Sequence, residues 1–130
     1  MKRTLIALAA IFALFGIIFC GCSSEPLNYK QVTQAEAQKL METKSDYIIL
    51  DVRTQDEYKS GHIKGAICIP NEEISGAVSE LPDKKQLILV YCRSGRRSKE
   101  AAQKLADSGY TNIVEFGGIN DWQGETVAEK

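Results

Sequence analysis

Residues 86–92, QLILVYC, pass directly into residues 93–109, RSGRRSKEAAQKLADSG, and this junction decides the fold. The first segment is an almost unbroken run of apolar residues, which predicts a strand buried on both faces. In the second segment, small and apolar residues recur at helical spacing before Gly109, so a helix is predicted over 98–108. That apolar face consists of Ala101, Ala102, Leu105 and Ala106. A buried strand that passes through a short loop into an amphipathic helix is typical of a parallel α/β sheet.

Strands and helices alternate through the rest of the chain. Thr33 and Glu36 have the spacing of a capping box, which predicts a helix from residue 34 to about residue 42. Further strands are predicted at 47–52, 65–70 and 112–116, and further helical segments at 55–61, 71–81 and 119–122. The connections are short. The pattern therefore predicts an α/β fold, with a central parallel sheet of about five strands and helices on both faces.

Two features bear on the ends of this sheet. Gly117 and Gly118 predict a break after the last strand, and the tail after Gln123 is expected to be loose. Ligands of open α/β sheets bind beyond the carboxyl ends of the strands. Cys92 ends the strand at 86–92, so it is expected to lie at the ligand-binding end.

The N-terminus has the features of an export signal. Lys2 and Arg3 precede an apolar stretch of 15 residues, from 5 to 19, which is short of the roughly 20 residues that span a bilayer. The following FCGCSS resembles the lipobox of bacterial lipoproteins, which implies that Cys22 is lipidated and begins the mature chain. An uncleaved anchor and an ordinary signal peptide remain alternatives.

These features divide the chain and predict its location. The expected parts are a signal and lipobox region at 1–22, a tether at 23–29, one folded domain at 30–124 and a tail at 125–130. The protein is expected to be exported to the cell envelope and anchored by lipid to a bacterial membrane. The periplasmic or extracytoplasmic face of that membrane is where the domain would lie.

The charge balance argues against nucleic-acid binding. The whole chain has 16 Lys+Arg and 17 Asp+Glu; without Lys2 and Arg3, 14 basic residues face 17 acidic ones, a formal net charge of −3. Proteins that bind nucleic acid usually present a basic face. The arginines beside Cys92 are therefore a local concentration of positive charge in an acidic domain.

The cysteines do not have the spacing of a metal site. Cys20 and Cys22 belong to the export region, which leaves Cys68, Cys92 and a single histidine in the domain. This set predicts no bound metal. A disulfide between Cys68 and Cys92 is an alternative for an exported protein.

The loop after Cys92 has the composition of an anion-binding turn. The loop residues are Arg93, Ser94, Gly95, Arg96, Arg97 and Ser98. Gly95 permits a tight left-handed turn, in which backbone N–H groups converge on one point at the start of a helix. Helix N-termini and cationic neighbours favour the thiolate form of cysteine, which is the nucleophile. A solvated helix start beside an inert, half-buried cysteine is the competing interpretation.

Three stretches of the chain resemble the rhodanese (sulfurtransferase) homology domain family. LDVRTQDEYKSGHIKGAICIP at 50–70 is similar to the family's N-terminal signature, and YCRSGRRS at 91–98 is similar to its active-site loop. FGGINDWQG at 116–124 is similar to its C-terminal signature. The three matches occur in the family's order and the resemblance extends over most of residues 30–124.

The resemblance implies a two-step sulfur transfer. Cys92 would attack the sulfane sulfur of thiosulfate or a similar donor and then hold it as a persulfide, until cyanide or a thiol removes it. Loop N–H groups would stabilise the persulfide anion, with Ser98 donating a hydrogen bond to Cys92. The arginines expected to attract the donor are Arg93, Arg96 and Arg97. No cofactor and no nucleic acid are implied, and the domain is expected to be a monomer.

The family also includes phosphatases and arsenate reductases, in which an arginine follows the cysteine after five residues. Here the sixth residue after Cys92 is Ser98, and Arg97 comes one place early, so that chemistry is disfavoured. A sulfur-carrier or binding module without efficient turnover is one alternative function. A thiol redox protein that uses Cys92 with Cys68 is another, and it requires the two sulfurs to lie close together.

Several other residues have two interpretations. Asp51 and Arg53, at the same sheet end as Cys92, are expected to support the site by pairing with each other or with Glu57, rather than by steering substrate. His62 is expected to be structural. Trp122 is expected to pack the last helix, and Cys68 to pack in the core rather than act as a resolving thiol.

Overall fold

The computed structural model describes residues 28–130. The predicted export signal and Cys22 lie outside the described residues, and with them the lipid anchor and most of the tether. Those predictions therefore stay predictions. No helix within residues 28–130 is both long and apolar enough to span a membrane.

A five-stranded parallel sheet organises the domain, as predicted. Its strands, in the spatial order β1-β6-β5-β2-β4, are β1 (Lys30–Gln31), β6 (Ile113–Gly118), β5 (Leu87–Cys92), β2 (Tyr47–Asp51) and β4 (Ile67–Cys68). Each neighbouring pair is parallel. The long central strand β5 is apolar on both faces because both faces are covered.

Helices cover the two faces of this sheet. They are α1 (Gln34–Thr43), α2 (Gln55–Ser60) and α3 (Arg96–Asp107). The core on one face packs α3 residues such as Leu105 against Leu50 and Val90, while the core on the other packs Ala37 of α1 against Leu89. Alternate residues of β5 thus enter opposite cores, which fixes the sheet register.

Local signals set the helix starts. Helix α1 begins at Gln34 with the predicted capping box between Thr33 and Glu36. Helix α3 begins at Arg96, two residues before the predicted start, because Gly95 turns the chain at a left-handed φ of 109°. The N–H groups of Arg96, Arg97 and Ser98 therefore belong to the first turn of α3.

The predicted helix over 71–81 is wrong. Only a single 3₁₀ turn forms there, at Asn71–Glu73. Gly76 has a left-handed φ of 59°, which ends helical conformation. The Tyr110 hydroxyl instead accepts a hydrogen bond from the Val78 N–H and donates one to the Leu81 carbonyl, so these two backbone groups are paired without a helix.

Three expectations for the C-terminal part are also wrong. Gly117 and Gly118 do not interrupt β6, which continues through Gly118, and a 3₁₀ turn at Ile119–Asp121 takes the place of the last helix. The tail is paired rather than loose. Strand β7 (Thr126–Val127) is antiparallel to β3 (His62–Ile63), which anchors the tail beside α2.

Candidate active site

Cys92 lies at the carboxyl end of β5, at the end of the sheet that is predicted to bind ligand. The chain turns through the loop of residues 93–95 and enters α3 at Arg96. The Cys92 side chain is only 1% exposed, whereas Arg93 and Ser94 above it are exposed. The thiol therefore lies beneath a loop, residues 93–98, whose exposed residues include Arg93, Ser94 and Arg96; this loop is called the cradle.

An irregularity in the sheet places a glycine beside the cysteine. Val90 pairs with Glu115, but Cys92, two residues on, pairs with Gly118, three residues on, so β6 has one extra residue. A Cβ atom on Gly118 would lie 2.1 Å from the carbonyl oxygen of Arg93. The same carbonyl accepts a hydrogen bond from the Asn120 N–H at 3.2 Å. The loop thus lies directly on the backbone of β6.

Two groups contact the Cys92 sulfur. The Gly95 N–H donates to Sγ at 3.0 Å, which is the kind of contact that stabilises a sulfur anion. The Ser98 hydroxyl oxygen lies 3.4 Å from Sγ, and the thiol is placed to donate to it. The predicted Cys92–Ser98 contact is present, and in the thiol form its hydrogen bond runs from Cys92 to Ser98. Donation from Ser98 to an anionic sulfur stays a prediction.

The direction of the Cys92–Ser98 hydrogen bond is set by a buried carboxylate that no motif predicts. Glu115 is 3% exposed, and its Oε1 accepts a hydrogen bond from the Ser98 hydroxyl at 2.6 Å and another from the Gly117 N–H at 2.8 Å. Ser98 has one hydroxyl proton, and the Gly95 and Gly117 carbonyls also lie within reach of it, at 2.9 and 3.3 Å. The Glu115 carboxylate is closer and charged, so the hydroxyl donates to it. The only sequence signal for Glu115 is an acidic residue inside the apolar segment NIVEF.

The three arginines of the loop have different surroundings. Arg97 forms a two-point ion pair with Glu57, with N–O distances of 2.8 and 3.0 Å. Arg96 is largely exposed and lies 3.4 Å from Glu100 on the same helix. Arg93 is exposed at the rim. Arg97 therefore ties α3 to α2, and Arg93 and Arg96 are the cations presented to solvent.

The Arg97 contact affects both partners. Hydrogen bonding from Arg97 holds the pKa of Glu57 at about 2, below its ordinary value of 4.5. The hydrogen bonds that Arg97 donates to Glu57 likewise raise the pKa of Arg97. Both groups are therefore charged throughout the neutral range, and the pair fixes the first turn of α3 against α2.

Replacing Glu57 by glutamine is expected to destabilise the fold by about 1 kcal/mol at neutral pH, because Arg97 loses a partly buried charged partner. Glutamine keeps the capping-box geometry with Thr54, so the loss isolates the ion pair. Folding lowers the pKa of Glu57, so its stabilisation is full above about pH 4.5 and is lost as the pH falls through about 2. Urea unfolding at neutral pH and close to pH 2 measures this. An equal difference between the two proteins at both pH values would contradict the assignment.

Asp51 and Arg53 form the mutual ion pair, with an Arg53–Asp51 distance of 2.7 Å and almost complete burial. The Tyr91 hydroxyl donates to Asp51 at 2.6 Å, and Arg53 also donates to the Gly61 carbonyl. Burial and the bond to Asp51 raise the pKa of Tyr91. This network joins β2, β5 and the end of α2, so its geometry is that of a support beneath the site.

His62 and Trp122 lie outside the thiol cradle. His62 is stacked on Tyr58 with ring centres 3.7 Å apart, and its Nδ1 lies 2.8 Å from the Tyr58 carbonyl. Trp122 packs against Phe116 with ring centres 5.6 Å apart. Both positions agree with the structural roles expected for these side chains.

Cys68 and Cys92 are both free, and they are not placed to form a disulfide. Strand β2 lies between β4 and β5, so two strand spacings of about 4.8 Å separate the backbones that carry the two cysteines. A disulfide needs Cα atoms within about 7 Å. Burial, followed by the charge of Asp51, also raises the pKa of Cys68 to about 11. Two alternatives bring these sulfurs together, a disulfide and a redox protein that uses both cysteines. This structure contradicts both, because each would require a large movement of the chain.

Within residues 28–130, no group of three or more histidine, cysteine or acidic side chains could hold a metal ion. A buried cysteine with an amide donor at its sulfur is suited to a covalent intermediate on that sulfur.

Comparison with known proteins gives consistent matches. A family model described as a rhodanese-like domain matches residues 33–125. The chain is 38% identical over 73 residues to thiosulfate sulfurtransferase PspE of Escherichia coli, covering 55% of this chain and 70% of that protein. It is 36% identical over 96 residues to thiosulfate sulfurtransferase GlpE of Coxiella burnetii, covering 73% and 88%. A solved structure titled rhodanese with anions from E. coli superposes with a TM-score of 0.59 at 35% identity, covering 63% and 98%.

Proposed function

The chain belongs to the rhodanese-like domain family, and from this premise we propose that it is a sulfurtransferase that carries sulfur as a persulfide on Cys92. The sulfur donor is thiosulfate or a similar sulfane anion. The acceptor is a thiophile, either cyanide or a thiol. The observation that carries the proposal is the Gly95 N–H held 3.0 Å from the sulfur of a buried cysteine at the binding edge of the sheet.

In the first step the Cys92 thiolate attacks the outer, sulfane sulfur of thiosulfate. A new S–S bond forms to Cys92, the bond between the two sulfurs of thiosulfate breaks, and sulfite leaves with the bonding electron pair. The cysteine becomes a persulfide whose outer sulfur carries the negative charge. Amides at the start of α3, an end with partial positive charge, stabilise that anion.

In the second step an acceptor nucleophile attacks the outer sulfur. The S–S bond to Cys92 breaks, the thiolate is regenerated, and thiocyanate or an acceptor persulfide leaves. The two half-reactions share one intermediate, so the kinetics are expected to be ping-pong.

Charge at the rim supports an anionic donor. Arg93 and Arg96 are exposed around a thiol that is almost completely buried, so they attract a dianion to the mouth of the cradle. Arg97 acts differently, because its guanidinium is bound to Glu57. Its part is to hold the loop in place while its charge adds to the local positive potential.

The geometry does not favour phosphoryl or arsenate chemistry. Ser98 occupies the sixth place after Cys92, where the resemblance assigns the arginine of phosphatases, and its hydroxyl is bonded to Glu115. Arg97 cannot take over this role while it is paired with Glu57.

Initial-rate kinetics with thiosulfate and cyanide test the proposal. The expected result is sustained thiocyanate production with parallel lines in double-reciprocal plots. Uptake of a single sulfur without turnover would instead indicate a carrier or binding role. Hydrolysis of a phosphate ester with no thiocyanate produced would overturn the proposal.

A further inference from the structure

Three buried side chains form a hydrogen-bonded line that leads away from the nucleophile. The Cys92 sulfur lies 3.4 Å from the Ser98 hydroxyl oxygen, and that oxygen lies 2.6 Å from Oε1 of Glu115. Their exposures are 1%, 0% and 3%, respectively. A hydrogen-bonded path therefore leads from the buried thiol through Ser98 to Glu115.

The hydrogens in this line allow two complete arrangements. In the first, the Cys92 thiol donates to Ser98, and Ser98 donates to the Glu115 carboxylate. In the second, the protonated Glu115 donates to Ser98, and Ser98 donates to the Cys92 thiolate. Every donor has an acceptor in both arrangements, and the total charge is the same. They differ only by the shift of two protons along the line.

We propose that Glu115 accepts, through Ser98, the proton that the Cys92 thiol gives up when the nucleophile forms. The inference rests on the proposed function and adds a proton acceptor to it. Ser98 is the group in contact with the sulfur, and Glu115 is a positioning residue that acts through Ser98. The S–H bond of Cys92 breaks as a new O–H bond forms on Ser98. The original Ser98 O–H bond breaks as an O–H bond forms on Glu115.

This transfer also removes an electrostatic conflict. A carboxylate and a thiolate joined by one serine would repel each other in a dry environment. After the shift, only the sulfur is charged, and the Gly95 N–H and the helix start stabilise it. The negative charge has moved from beneath the loop to the atom that attacks the donor.

The other charged groups around the line are on α3 and on the turn after β6. The Arg97 charge interacts with Cys92 from the first turn of α3. Lys99 and Asp121 line a shallow cleft of about 300 Å³ beside Glu115, and both are exposed to water. None of these groups is hydrogen-bonded to the line, so Glu115 is the carboxylate that the thiol proton can reach through Ser98.

The test measures alkylation of Cys92 by iodoacetamide across a pH series, in the full chain and in Glu115→Gln. Modification is followed on the peptide that contains Cys92, so that the other cysteines do not contribute. Because the Gly117 N–H donates to the same oxygen as Ser98, the amide of the variant is held with its oxygen toward Ser98. That oxygen accepts the serine hydrogen bond but cannot take a proton. We expect alkylation at neutral pH to fall by at least about 10-fold, with less difference at alkaline pH.

Ser98→Ala provides a second, independent break in the line. It is expected to slow alkylation as Glu115→Gln does, and the double variant is expected to be no slower than either single variant, because both changes break one relay. Circular dichroism melting shows that each variant is folded. Glu115→Asp keeps a carboxylate and is expected to recover part of the rate.

A rate in Glu115→Gln that is unchanged would mean that Glu115 only shapes the loop, and a faster rate would mean that it acts as a fixed repulsive charge. Either result overturns the inference. Alkylation needs neither a sulfur donor nor an acceptor. Failure of the relay is therefore distinguishable from failure of the proposed sulfur transfer, which thiocyanate production tests.

Discussion

Replacing Cys92 by serine is expected to abolish thiosulfate:cyanide turnover, with a loss of at least about 10³-fold. The sulfur of Cys92 forms and breaks the covalent bond in both half-reactions, and a serine hydroxyl cannot form a stable persulfide. The buried site accommodates serine without steric conflict, so the variant is expected to fold. Thiocyanate formation, together with a thermal melt, measures the two effects separately.

Cys68→Ser is the matched control. Cys68 lies at the same end of the sheet and is half-buried. Its thiol donates a hydrogen bond to the Arg53 carbonyl, with a sulfur–oxygen distance of 3.6 Å. This variant is expected to retain turnover, because β2 separates the two cysteines and the cradle contains only Cys92. Substantial turnover by Cys92→Ser, or a comparable loss in Cys68→Ser, would contradict the assignment of the nucleophile.

Replacing Gly118 by alanine is expected to lower kcat/KM by about 10²-fold, the scale of loss that follows a displacement of about 1 Å at a reacting group. The added Cβ would lie 2.1 Å from the Arg93 carbonyl oxygen and 2.6 Å from the Ser94 nitrogen. Both are backbone atoms of the loop, which cannot rotate away as a side chain does. The overlap is also expected to cost about 2–3 kcal/mol of stability.

Backbone strain at the substituted residue does not enter this prediction, since Gly118 has an extended conformation (φ −136°, ψ 156°) that alanine adopts freely. Gly61→Ala is the matched control, because a Cβ there meets no atom within 4 Å. It is expected to leave turnover and melting temperature close to those of the wild type. Full activity in Gly118→Ala would show that the loop does not need its contact with β6.

The sequence was most informative where local signals and the core agree. The capping box of Thr33 and Glu36 predicted the start of α1, and the apolar run before Cys92 predicted the central strand. In both cases a short-range pattern is sufficient, because the helix cap is closed by its own residues and β5 is buried on both faces. The position of Cys92 at the binding edge follows from the same strand.

The features that were not predicted depend on contacts between distant parts of the chain. Glu115 is stabilised by Ser98, 17 residues away, and no local pattern indicates a carboxylate inside a buried strand. The extra residue in β6 that brings Gly118 beside Cys92 is visible only in the pairing of two strands. Residues 71–81 have helical spacing of apolar side chains, but the Val78 N–H and the Leu81 carbonyl pair with the Tyr110 hydroxyl instead. Propensity gives way to tertiary contacts there.

The most direct test of the account is the mass of the Cys92 peptide after the protein is treated with thiosulfate alone and the excess donor is removed. The proposed mechanism predicts that this peptide gains one sulfur atom, and that cyanide then removes it with release of one equivalent of thiocyanate. No gain of sulfur, or a gain on the Cys68 peptide in place of the Cys92 peptide, would contradict the central claim that Cys92 carries the transferred sulfur.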